Sequence, residues 1–61
     1  MQVIAIGTKR EFSFVANQRV ELIDILKMLK TVDIDEIWEY VVFVFRHSPP
    51  IVLRKGCDYN A

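Results

Sequence analysis

Few side chains in this sequence are equipped for chemistry. The one cysteine, Cys57, stands next to Asp58, and the one histidine is His47. A thiol, an imidazole and a carboxylate are the parts of a nucleophilic site, provided a base is held beside the thiol and a third group orients it. Cys57 falls in the last five residues, where nothing in the sequence frames such a geometry, so it reads as a terminal thiol. His47 follows Arg46 at the end of an apolar run. Histidine is the side chain most often used as a pH-sensitive contact, but the plainer expectation here is a partly exposed strand end. No catalytic residue is assigned, and the chain is expected not to be an enzyme.

Four acids, Asp33, Asp35, Glu36 and Glu39, crowd into seven residues. Close carboxylates can hold a divalent ion, but a calcium loop needs alternating ligands around a glycine that this stretch lacks. The expected roles are helix capping and a solvated acidic surface. One Cys and one His cannot fill the four positions of a structural zinc. No Gly-rich phosphate loop, nucleophile elbow or internal repeat occurs. No metal or cofactor is implied.

Two recognition surfaces remain. Lys9-Arg10 and Arg54-Lys55 fall near strand ends or turns, and beside an aromatic ring they would suit single-stranded nucleic acid. The chain carries eight basic and eight acidic residues, a formal net charge of +0. It gains little from long-range attraction to a polyanion, so nucleic acid is the alternative partner and not the leading one. Trp38, Tyr40, Phe43 and Phe45 form a dense aromatic series. A core of this size cannot easily enclose all four together with Phe12 and Phe14, and aromatics left outside are the usual anchors of protein interfaces. Trp38 is the first choice for such an anchor.

The elements that carry these residues follow from periodicity. Residues 2–7 are rich in β-branched side chains, and residues 11–16 alternate, with Phe12 and Phe14 on one face and Ser13 on the other. Gly7 supplies the flexible residue of the connecting hairpin. Asn17 is expected to cap a helix running from Gln18 to about Thr31, with Leu22, Ile25, Leu26 and Leu29 on one stripe. Val20, Ile23 and Met28 lie off that stripe, suggesting a helix covered on more than one side. Asp33-Ile34-Asp35-Glu36 has capping-box spacing and predicts one short helical turn.

Tyr40 to His47 is the strongest strand signal. Val41, Phe43 and Phe45 point one way, Val42 and Val44 the other, and apolar residues on both faces imply cover on both. Ser48-Pro49-Pro50 interrupts it, and residues 51–54 resume as a strand. The expectation is a single α+β domain over 1–61, β-β-α-β-β. Two hairpins flank one helix in a mainly antiparallel four-stranded sheet with the helix on one face. Residues 57–61 are expected to be a flexible tail.

So small a domain balances apolar burial against chain entropy near zero. Fifteen Val and Ile residues, with eight Leu and Phe, exceed what one short helix can cover. A homodimer is therefore expected, binding a larger cytoplasmic protein as regulator, adaptor or inhibitor. The cytoplasm is the compartment suited to an unpaired cysteine without a basic leader. The longest apolar run, Tyr40 to Phe45, is far short of the ~20 residues that span a bilayer, so no membrane is expected.

Overall fold

The computed structural model describes residues 1–60. The elements are β1 (Gln2–Gly7), β2 (Glu11–Val15), α1 (Leu22–Val32), β3 (Trp38–Val44) and β4 (Ile51–Arg54). One antiparallel sheet has the strand order β2-β1-β3-β4. The expected α+β fold, β-β-α-β-β with an open four-stranded sheet, is the fold observed.

Strands β2 and β3 flank β1 and run parallel to each other. A tight turn cannot join parallel strands, so the chain needs a crossover, and α1 supplies it. The helix is shorter than its periodicity suggests. Asn17 does not cap it: the Asn17 side-chain oxygen accepts from the Arg19 N–H at 3.0 Å, and its carbonyl from the Val20 N–H at 3.1 Å. That local turn competes with helix for the same residues. Glu21 stands at the N-cap without a side-chain cap bond.

Ile25 and Leu29 are fully buried, while Ile23 is 57% exposed and Val20 lies outside the helix. The helix is therefore covered on one side and not on several. Ile25 and Leu29 pack on Val3, Ala5 and Val41, joined by Trp38 and Tyr59.

Asp33 ends the helix, its N–H donating to the Leu29 carbonyl at 3.2 Å. The next residues make a single hydrogen-bonded turn, Glu36 N–H to Asp33 carbonyl at 3.3 Å, and not a second helix. The Asp33 carboxylate accepts from the Asp35 N–H within it.

The expected flexible tail is the largest departure. Gly56, at φ +86°, reverses the chain after β4, a conformation that favours glycine. The Asp58 N–H donates to the Arg54 carbonyl, and the Asp58 carboxylate accepts the Arg54 N–H, both at 2.8 Å. Tyr59 is thereby turned into the core, 7% exposed, and its hydroxyl donates to the Trp38 carbonyl at 2.7 Å. Burial, then Asp58 and Glu39, push its phenol above the ordinary pKa. Ala61, the end of that expected tail, lies outside the described residues.

Tyr59→Ala removes a packed ring and the hydrogen bond its hydroxyl donates to the Trp38 carbonyl. Urea unfolding is expected to show a loss of about 3 kcal/mol, the range for a buried aromatic. A loss under about 0.5 kcal/mol, the size of an ordinary surface effect, would mean that the tail is not part of the fold.

Candidate functional site

Directly paired residues on neighbouring strands share a face, so the sheet can be read in rows. The rows Phe14-Val3-Phe43-Ile51 and Phe12-Ala5-Val41-Leu53 alternate with Val15-Gln2-Val44, Ser13-Ile4-Val42-Val52 and Glu11-Ile6-Tyr40-Arg54. Val3, Ala5 and Val41, in the first set, are fully buried against the helix. The second set therefore forms the opposite face. It carries Ile4, Ile6, Val15, Tyr40, Val42, Val44 and Val52. No helix or strand of the described residues covers it.

Val15 is 84% exposed, Val52 53% and Tyr40 37%. The only charged side chains in these rows are Glu11 and Arg54, at opposite edges of one row.

A bulge decides which aromatics belong to that face. Ile6 pairs with Tyr40, but Gly7 pairs with Trp38, so one step on β1 spans two on β3 and Glu39 is the extra residue. Plain alternation would put Trp38 and Tyr40 on the same side. The bulge reverses the phase and turns Trp38 inward. Trp38 is 7% exposed, and its indole N–H donates to the Leu29 carbonyl at 3.3 Å. The residue first expected to anchor an interface is thus part of the core. Phe43 is half-buried on the helix side, Phe45 lies half-buried just beyond β3, and Tyr40 alone of the four stands on the open face.

Beside the bulge, Glu36 departs from the expected solvated acid. It is 7% exposed. Its Oε1 accepts from the Thr8 N–H at 2.6 Å, the Thr8 hydroxyl at 2.7 Å and the Ile37 N–H at 3.0 Å. The Lys9 N–H donates to both oxygens, at 3.2 and 3.1 Å. The carboxylate thus closes the β1–β2 turn from a residue far along the chain.

Gly7 makes room for it. A Cβ there would lie 2.5 Å from Glu36 Cδ, so glycine serves a close approach here and not turn flexibility. The hydrogen bond from the Thr8 hydroxyl, helped by the N–H groups of Lys9, Thr8 and Ile37 and opposed by desolvation, holds the Glu36 pKa below its ordinary value.

The other candidates separate. Cys57 is exposed beyond the end of β4, whereas His47 lies in the β3–β4 loop at the opposite end of the sheet. Asp58 is committed to the Arg54 N–H. These three do not form a nucleophilic constellation. Among the described residues, no group of three or more His, Cys, Asp or Glu side chains could hold a metal ion. No helix among them is long and apolar enough to cross a membrane.

Lys9, Arg10, Arg54 and Lys55 do gather at one end of the sheet, where Gly7 pairs with Trp38 and Lys55 donates to the Glu39 carbonyl. Glu11, Glu36, Glu39 and Asp58 occupy that same end, and the Arg10 guanidinium lies 5.9 Å from the Trp38 ring centre. The field there is mixed. A cleft of about 390 Å³ on the helix side is lined by Leu26, Lys30, Ile34, Ile37, Trp38 and Lys55 among others. Comparison with protein-family models, curated proteins and solved structures finds no match to this chain.

The depressed Glu36 pKa fixes the sign of an acid response. A carboxyl with a lower pKa folded than unfolded stabilises the fold above its ordinary value of 4.5, and that contribution fades as pH falls through the folded value. Thermal melts of the native chain and Glu36→Gln should differ most near neutrality, the gap narrowing below pH 4.5. A constant gap from neutral to strongly acidic solution would show that the Glu36 charge does not stabilise the fold.

Proposed function

We propose that this chain is a non-enzymatic protein-binding module, working as a homodimer and acting on a larger cytoplasmic protein as regulator, adaptor or inhibitor. The observation that carries the reading is the uncovered sheet face, seven apolar or aromatic side chains in adjacent rows. Isolated exposed apolar residues are ordinary, but a contiguous apolar patch with a polar rim is the usual mark of an interaction site. Fully burying a Val or Ile side chain contributes about 1.5–3 kcal/mol. Val15 and Val52 stand more than half exposed and gain most of this, while the half-buried Ile4, Ile6, Val42 and Val44 add smaller shares to the reservoir for association. With that face covered, edge strands β2 and β4 still present unpaired backbone groups, to which an extended segment of a larger protein can add.

Nucleic-acid binding through Lys9, Arg10, Arg54 and Lys55 is the second reading, favoured by their convergence at one sheet end. The acids among them weaken it. It requires affinity that falls steeply with salt.

The leading reading is tested with the native chain and Val42→Glu, both checked for folding by circular dichroism. At micromolar concentration the native chain should scatter light as a dimer, and as bait it should retain a specific protein from lysate. Val42→Glu, which sets a charge in the middle of the open face, should be monomeric and lose its dimeric partner. A native chain that is monomeric and retains nothing, or a variant that behaves identically, overturns the reading.

A further inference from the structure

We infer that the open face is self-complementary. A second copy of this chain covers it sheet to sheet, about a twofold axis parallel to the strands, with Glu11 of each copy facing Arg54 of the other. This rests on the open face being an interface, and it specifies both the occupant and the register.

The row Glu11-Ile6-Tyr40-Arg54 takes one residue from each strand in the order β2-β1-β3-β4. The acid lies on one edge strand and the base on the other, with two apolar-bodied side chains between them. Three inter-strand spacings of ~4.8 Å put the two edges ~14 Å apart, too far for Glu11 and Arg54 to pair within one chain.

Both are exposed. A twofold axis running along the strands, midway between two stacked faces, exchanges left and right edges while keeping position along the strand. It sets Glu11 over Arg54 of the second copy, Arg54 over its Glu11, Ile6 over its Tyr40 and Ile4 over its Val42. The two charges of these rows are then both paired, and Ile4, Ile6, Tyr40 and Val42 meet one another at the centre, with Gln2 over Val44 beside them.

No other twofold axis in the plane of contact achieves this. An axis across the strands would return Glu11 to the second copy's β2 edge and Arg54 to its β4 edge, where no opposite charge awaits. Face-to-face sheets also prefer strand directions within about 30° of each other, which the proposed axis provides. A net charge of +0 leaves no long-range repulsion between copies. An unrelated partner would need a matching acid and base at the right separation, whereas a second copy supplies them by symmetry.

The test is a charge swap read by sedimentation equilibrium, on Glu11→Arg, Arg54→Glu and the double variant, with folding checked by circular dichroism. Each single variant faces two like-charged pairs across the axis and should weaken dimerisation at least about tenfold, a modest demand for close interfacial charges. The double variant restores two opposite-charge pairs and should return to within about threefold of the native value, well inside the factor of ten that corresponds to about 1.4 kcal/mol.

Recovery in the double variant cannot come from within one chain, because the edges are too far apart. Single variants that dimerise normally, or a double variant as weak as the singles, overturn this register. If Val42→Glu nevertheless abolishes the dimer, the open face remains the interface and only the axis is wrong. If Val42→Glu also leaves the dimer intact, the reading of the face itself fails. A native chain that is monomeric throughout overturns the second copy as occupant.

Discussion

A four-stranded sheet has two faces, and this chain has one helix of eleven residues, Leu22–Val32, to lay against them. At 1.5 Å per residue that helix is about 16 Å long, roughly matching the ~19 Å breadth of four strands. It is sufficient for one face and has nothing left for the other. Val3, Ala5 and Val41 go under the helix and lose all contact with water, while Val15 and Val52 on the far side remain more than half exposed. The protein-binding role proposed for this molecule follows from that imbalance.

Which residues end up on which side is set at one end of the sheet. Shifting a strand by one residue exchanges its two faces, so β3 needs a fixed phase. The Glu36 carboxylate, gripped by Thr8 and Lys9 in the β1–β2 turn, pins the chain just before β3, and the bulge at Glu39 then fixes the phase. Trp38 is delivered to Leu29 and Tyr40 to the open face. Tyr59 closes the same corner from the other end of the chain by donating to the Trp38 carbonyl. A glycine, a buried acid, an indole and a phenol thus form one continuous support for the sheet end. The apolar rows of the open face extend from it.

What was legible in the sequence is what depends on near neighbours. Phe12-Ser13-Phe14 and Val41 to Val44 alternate as they must in a strand, and the two-sided apolar character of β3 beside a single helix already implied one face that the helix does not cover. What was not legible depends on distant partners. Glu36 looks like one acid among four until Thr8 and Lys9 are brought to it. Trp38 looks like the start of an exposed aromatic series, because a bulge leaves no mark in a single sequence.

Tyr59 looks like part of a frayed terminus, since its packing partner lies 21 residues away. Asn17 has the chemistry of a helix cap and spends it on a local turn instead. The pairing of Glu11 with Arg54 in one row is likewise a product of register across four strands. Glu11 has no distinction in the sequence, and Arg54 stands out there only as half of a basic pair.

The central claim is that the open face is covered by its own kind in solution, and direct observation of contacts across it is the sharpest test. A mixture of isotope-labelled and unlabelled chains, examined by isotope-filtered nuclear Overhauser spectroscopy, reports only contacts between copies. Such contacts are expected between the methyl groups of Ile4 and Val42 and between Ile6 and the ring of Tyr40, with none from the buried Ile25 or Leu29. Intermolecular contacts confined to Ile34 and Ile37 on the helix side, or none at concentrations where the chain is dimeric, would contradict it.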